Sequence, residues 1–187
     1  GKACAELFLK NNYIVVNASR SDPKPIRNKN YRFIKTNVAL EKDVMKLFKK
    51  VIKEFGMIDT IICNAGFGRF GNLADSRTED FDEMFAVNVK GLYLCNRFAL
   101  QSMLKRKSGT IINISSVAGK NGIATASIYS ATKHAVIGLS SSLMAEVRKD
   151  NIRVVTICPG SVDTNFFDDP SAALSSNRET ILSPEDV

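Results

Sequence analysis

The order of apolar and polar positions divides the chain into short apolar runs and longer stretches with a helical repeat. In residues 2–11, Cys4, Leu7 and Phe8 share one helical face. Tyr13–Ala18 and Tyr31–Thr36 read as strands. Between them lies only Ser19–Asn30, which contains Pro23 and Pro25, so a short irregular connection is expected instead of a crossover helix. Glu41–Phe55 places Val44, Leu47, Phe48, Val51 and Ile52 on one side of a helix that Gly56 stops. Ile58–Cys63 is an apolar run of buried-strand character. Thr78 is expected to cap a helix with Glu79 and Asp80 in its first turn, and that helix runs through Asn88 and Gly91 to about Lys105. Strand Thr110–Ile114, helix 127–148 and strand Arg153–Cys158 follow. Residues 165–182 form a polar loop without a period, and Ser183-Pro184-Glu185 reads as a helix start. Strands alternating with helices predict an α/β fold, a parallel sheet covered on both faces, in one domain over residues 1–187.

Composition narrows the function classes. A content of 44% hydrophobic residues over 187 positions suits one globular domain. No apolar run is long enough for a membrane span. The net charge of +7 would attract anions, but much of the excess sits at Lys42, Lys46, Lys49, Lys50 and Lys53. That spacing describes the solvated face of an amphipathic helix, and no aromatic-interleaved basic motif points to nucleic acid. Cys4, Cys63, Cys95 and Cys158 are widely spaced and are expected to be reduced and buried, in a cytoplasmic setting. With one histidine, His134, expected on a helix surface, no metal site is expected.

Candidate chemistry concentrates in Gly109–Lys133. Tyr129 and Lys133 are four apart on a helix and so share a face. A phenol titrates near 10, too high for a base at neutral pH. An ammonium about 4 Å away is worth roughly 4 kcal/mol at an effective dielectric of 20, or about three pK units. Lys133 is therefore expected to bring Tyr129 toward the range of a general acid/base. Ser116, at the end of the preceding strand, is placed to hydrogen-bond a substrate oxygen.

Ser116, Tyr129 thirteen positions later, Lys133, and Asn88 within Val-Asn-Val-Lys-Gly resemble the active-site pattern of the short-chain dehydrogenase/reductase family. The resemblance runs over essentially the whole chain. It implies a Rossmann-type doubly wound, three-layer αβα fold and an NADP(H)-dependent oxidoreductase, with NAD as the other possible cofactor. By that resemblance Asn88, Ser116, Tyr129 and Lys133 are catalytic. Asn88 anchors a relay water, and Lys133 also holds the nicotinamide ribose. Gly1 matches the last glycine of a phosphate-binding turn, and Asn64-Ala65-Gly66 a cofactor-approach motif. Asn37-Val38 stands where the family has Asp-Val against adenine, and Cys63 where it has asparagine. Pro159, Gly160, Val162 and Thr164 match a segment lining the nicotinamide. Ser19-Arg20 offers a cation and no carboxylate at the adenosine ribose, which favours a 2′-phosphate.

The implied substrate is a small carbonyl or alcohol, with 3-oxoacyl thioesters the class the resemblance suggests, chosen by loops Phe67–Arg77 and 165–182. A non-catalytic nucleotide-binding regulator on the same fold is the alternative. A homodimer or homotetramer through helices 78–105 and 127–148 is implied, with Leu92, Phe98, Met103, Leu139 and Leu143 at the contact. Neither nucleic acid nor membrane is an expected partner. The resemblance further implies that the fold is incomplete at both ends. A strand lane between strands 13–18 and 58–63 is expected to be vacant, so those two strands should not pair and residues 1–187 alone should fold poorly.

Overall fold

A computed structural model describes residues 1–22, 25–164, 166 and 181–187. Helix α1 spans Lys2–Lys10, followed by β1 (Val15–Ser19) and β2 (Tyr31–Lys35). These two strands pair in parallel, with Val15 opposite Tyr31 and Ser19 opposite Lys35. Among the described residues no helix joins them, as the two prolines require. Helix α2 (Glu41–Phe55) then buries Val44, Leu47, Phe48 and Val51. It ends at Gly56, whose φ of 78° lies in the region that favours glycine.

Strand β3 (Thr60–Cys63) leads by a long loop to α3 (Thr78–Met84). The chain continues without a break through a π-helical stretch, Phe85–Gly91, into α4 (Leu92–Arg106). Thr78 does not cap α3. Arg77 occupies the cap position in extended conformation, without a side-chain cap bond, and Thr78 is the first helical residue. The acidic pair Glu79 and Asp80 remains in the first turn, where it suits the helix dipole. Strand β4 (Gly109–Ile114), α5 (Ser127–Val147) and β5 (Ile152–Ile157) complete the regular elements.

Strands β3, β4 and β5 form a parallel sheet in that order, with β4 central. The pair β1–β2 is a separate sheet, and no ladder joins β1 to β3 among the described residues. The expected absence of pairing between these strands therefore holds. Val162 forms a parallel bridge to Leu182, and Pro184–Asp186 is a single 3₁₀ turn with a Ser183–Asp186 capping box.

The core lies between this sheet and the helices: Val44, Phe48, Leu94, Ala99, Met103, Ile111, Val136 and Val147 are buried together. Leu92, Met103 and Leu143 belong to it, and Phe98 packs on it by stacking against Phe48 at 5.8 Å. They were expected at an oligomer contact; within this chain they pack into or onto its own core. No helix among the described residues is long and apolar enough to cross a membrane. Cys63 and Cys95 are buried, but Cys4 and Cys158 are only half-buried, so the expected burial holds for two of four free thiols.

Candidate active site

The site forms where α5 passes the end of β4. Along α5 the buried positions are Tyr129, Ser130, Thr132, Lys133, Val136, Ser140, Leu143 and Val147; Tyr129, Lys133, Val136, Ser140, Leu143 and Val147 follow one helical stripe. Its C-terminal half is mostly apolar and enters the core. Its first turns are polar and lie against the strand end. Asn113 Nδ2 donates to Ser140 Oγ at 2.9 Å, pinning the helix to the strand. The turn Val117–Gly119 then approaches α5 closely. Ser115 Oγ donates to the Lys133 carbonyl at 2.9 Å, and a Cβ at Gly119 would lie only 2.7 Å from that same oxygen.

Tyr129 is 8% exposed and Lys133 is 6% exposed. Lys133 Nζ donates to the Ile114 carbonyl at 3.0 Å and stands 5.7 Å from the centre of the Tyr129 ring. The electrostatics of the pair differ from those expected. Burial pushes the Tyr129 phenol above its ordinary value, and the group that pulls it down is the hydrogen-bonded Ser116 hydroxyl, not Lys133. The desolvation cost falls on Lys133 as well: burial lowers its ammonium to about 8, with Cys158 opposing the shift. Ser116 Oγ also accepts from the Ala118 backbone N–H at 3.1 Å, which orients it at the strand end.

Asn88 comes from the π-helical stretch. The wider turn is a common device for re-aiming a side chain at a site. Asn88 Oδ1 accepts from the Phe67 N–H at 3.0 Å, while Nδ2 donates to the Phe67 carbonyl at 2.8 Å and to Thr132 Oγ1 at 3.1 Å. Its amide thus ties the loop after β3 to α5. Gly66 closes the group: a Cβ there would lie 3.2 Å from Asn88 Oδ1 and 3.6 Å from Lys133 Nζ. Ser116, Tyr129, Lys133 and Asn88 are therefore brought together, with exposed Asn64, Ala65 and Gly66 beside them.

The remaining predicted residues surround this group unevenly. Gly1 abuts Asn64, since a Cβ on it would fall 3.0 Å from Asn64 Nδ2. Pro159 accepts from the Val117 N–H at 2.9 Å, which places the 159–164 segment, with Gly160 and Val162, beside the Ser116 turn. Thr164 Oγ1 accepts from the Phe166 N–H at 3.3 Å. Val38 packs on the Gly91 backbone, where a Cβ would come within 2.8 Å of its Cγ2. Asn37 Oδ1 accepts from the Ala39 N–H at 3.1 Å. Ser19 Oγ donates to the Ser21 carbonyl at 2.7 Å. Arg20 lies in a concavity of about 650 Å³ with Lys35, Lys46, Lys50 and Asp43. Most of the loop 165–182 lies outside the described residues.

Sequence reasoning passed over Thr132, Ser115 and the rings around Tyr129. Thr132 carried a signal, being one helical turn from Tyr129 on the buried face. Phe70 and Phe166 lie in the two loops expected to choose the substrate, but their approach to within 5.5 and 5.6 Å of the Tyr129 ring carried no signal, because they are far apart in the chain.

A parallel sheet with a serine, tyrosine, lysine and asparagine gathered at its strand ends defines a class of dinucleotide-linked fold. Comparison with known proteins makes the class specific. The profile of the short-chain dehydrogenase family matches residues 1–174, and the chain belongs to that family. It is 40% identical over 132 residues to an uncharacterized oxidoreductase of Thermotoga maritima, covering 71% of this chain and 52% of that protein. The chain thus spans about half the length of that relative. It is 37% identical over 193 residues to dehydrogenase/reductase SDR family member 6 of Rattus norvegicus, covering 96% of this chain and 77% of that protein. Among solved structures, ElxO with NADP bound superposes with a TM-score of 0.85 at 30% identity, covering 98% of this chain and 91% of that one.

Proposed function

We propose that this chain carries the active site of an NADP(H)-dependent oxidoreductase that interconverts a carbonyl and a secondary alcohol. The observation that carries this reading is the convergence of Ser116, Tyr129, Lys133 and Asn88 beside the Asn64–Gly66 loop. A nicotinamide dinucleotide, when bound, supplies or accepts the hydride. The residues present fit such a group. A Cβ at Gly1 or Gly66 would crowd Asn64 or Asn88, so glycine keeps the backbone bare where it could approach a ligand. The Arg20 concavity adds cations for a 2′-phosphate, and the NADP bound to ElxO supports that choice.

Within this reading Tyr129 moves a proton at the substrate oxygen and Ser116 hydrogen-bonds that oxygen. A phenol whose pKa is raised by burial stays protonated at neutral pH, the form that donates in carbonyl reduction. Lys133, neutralised more easily than an exposed lysine, is the near source from which that proton is replaced. Asn88 holds the loop carrying Gly66 and Phe67 against α5. A 3-oxoacyl thioester is one substrate of this class and the one the family resemblance suggests.

The test is NADPH oxidation by the full-length protein across ketones, quinones and 3-oxoacyl thioesters, with Tyr129→Phe as the control. A positioned acid/base group contributes roughly 10²–10⁴-fold, so Tyr129→Phe should lose at least about a hundredfold in kcat while still binding NADPH. Retention of more than about a tenth of kcat would remove Tyr129 from its role.

A further inference from the structure

Resting on the carbonyl-reduction reading, we propose that Thr125 is a positioning residue, whose strained backbone turns its carbonyl onto Gly71 and so sets the loop Phe67–Arg77 beside Tyr129 for substrate binding. Among the described residues, Asn12, Lys107, Thr125 and Asn151 combine a side chain with a positive φ. Three of them mark the ends of helical segments, where the left-handed conformation is an ordinary stop. Asn12 follows the cap of α1, Lys107 caps α4, and Asn151 caps the turn after α5. Thr125 stops no helix. It stands two residues before α5 begins, is β-branched, and has a φ of 62°.

The local turn explains the conformation. The Ala126 N–H donates to the Ile123 carbonyl at 3.1 Å, closing a turn in which Thr125 is the third residue. A positive φ at that position alone is the mark of a type II turn, whose third residue is ordinarily glycine or asparagine. A side chain is strained there, a β-branched one most of all. Burial does not offset the strain, because Thr125 is exposed, and its hydroxyl donates back to the Ala124 carbonyl at 2.6 Å. What the conformation secures is a backbone bond to a distant segment: the Gly71 N–H donates to the Thr125 carbonyl at 2.7 Å.

The place of that bond gives it a role. The start of the loop is held from the other side, Phe67 by Asn88, and Arg69 by Met84, Asp80 and Glu83. Beyond Gly71 the bonds are internal: the Ser76 N–H and hydroxyl return to the Leu73 carbonyl, and the Asp75 N–H to the Asn72 carbonyl. Gly71 thus ties the loop directly to the segment leading into α5. Its neighbour Phe70 lies 5.5 Å from the Tyr129 ring, so where Gly71 is held decides where the loop stands relative to the phenol. Strain of this kind persists where surrounding bonds over-determine it, and it concentrates at functional sites.

The experiment uses the full-length protein with NADPH and ethyl acetoacetate, phenanthrenequinone or acetoacetyl-coenzyme A, whichever the wild type reduces fastest. Thr125→Pro fixes φ near −65° and withdraws the left-handed turn, and Gly71→Pro removes the donor without touching Thr125. Each should raise KM for the carbonyl compound roughly five- to tenfold or more while the Kd for NADPH stays within about twofold. Loss of folded protein alone would lower kcat and leave KM unchanged. Gly71→Ala keeps the N–H, and a Cβ there meets nothing within 4 Å, so it should restore KM. Thr125→Gly keeps the carbonyl and accepts the conformation, so it should retain KM and melt roughly 1–4 °C above wild type. An unchanged KM in either proline variant overturns the proposal, and so does a Thr125→Gly protein that melts below wild type, which decides the matter if both proline variants fail to fold. A wild type that oxidises NADPH with none of the three compounds refutes the parent reading instead.

Discussion

Gly119 is where the geometry of the site can be perturbed with least ambiguity. It has no unusual φ, so Gly119→Ala tests space and not backbone strain. The new Cβ would lie 2.6 Å from Ser115 Oγ, 2.7 Å from the Lys133 oxygen and 2.9 Å from the Lys133 carbonyl carbon. Carbon atoms pack best at about 3.5–4.0 Å, so the last contact alone is short by at least about 0.6 Å. The Ser115 hydroxyl can rotate away, but it then gives up its 2.9 Å bond to Lys133. The carbonyl cannot retreat without moving the turn of α5 that carries Tyr129 and Lys133. Overpacking of this kind costs about 1–3 kcal/mol, and the lost hydrogen bond about 1 more. For a chain of this size each kcal/mol is worth about 2–4 °C. Gly119→Ala should therefore lower the melting temperature by roughly 5–15 °C and reduce kcat, measured by thermal unfolding and NADPH oxidation. Gly122→Ala is the control, since a Cβ there meets nothing within 4 Å. A Gly119→Ala protein melting within about 1 °C of wild type would refute the close approach of this turn to α5.

Three further outcomes follow from the same structure. Arg20→Asp should move the kcat/KM preference from NADPH toward NADH, because it places a ribose-binding carboxylate where a cation lines the concavity; an unchanged ratio makes Arg20 ordinary surface. Lys133 titrates at about 8 when folded against 10.5 ordinarily, so below pH 8 both states carry the proton and the fold bears the full desolvation cost. Stability attributable to this group should rise between pH 8 and 10 by up to about 1.4 kcal/mol per unit, read as the difference between wild type and Lys133→Met in denaturant titrations; parallel profiles would contradict it. An oligomer is expected through the apolar groove of about 480 Å³ that Phe85, Val89 and Tyr93 form with Leu139, and a monomer by light scattering at micromolar concentration would argue against it.

What could be read along the chain, and what could not, divides by the range of the interaction. The face of α2 was legible because Val44, Leu47, Phe48 and Val51 repeat with the helix, and burial follows that repeat. Tyr129 and Lys133 were legible as a pair because four residues on a helix fix their separation. What Lys133 does to Tyr129 was not legible, because it depends on where each side chain ends. Lys133 bends to the Ile114 carbonyl, a partner set by the β4–α5 packing, and both groups then lose water. Leu92 and Met103 illustrate the same limit. Their apolar character is visible in the sequence, but the sheet and a second helix face compete for them, and the sheet wins because it offers full burial. Thr78 missed its cap position by one residue, a local competition in which Arg77 takes the extended conformation. The ring contacts of Tyr129 lie furthest from view: Phe70 and Phe166 fall in the two loops expected to choose the substrate, but they share no period, spacing or motif that would bring their rings together, and only the folded chain brings them to Tyr129. A pair on one helix thus leaves a trace in the sequence, whereas a contact between rings on separate loops becomes visible only once the chain has closed around it.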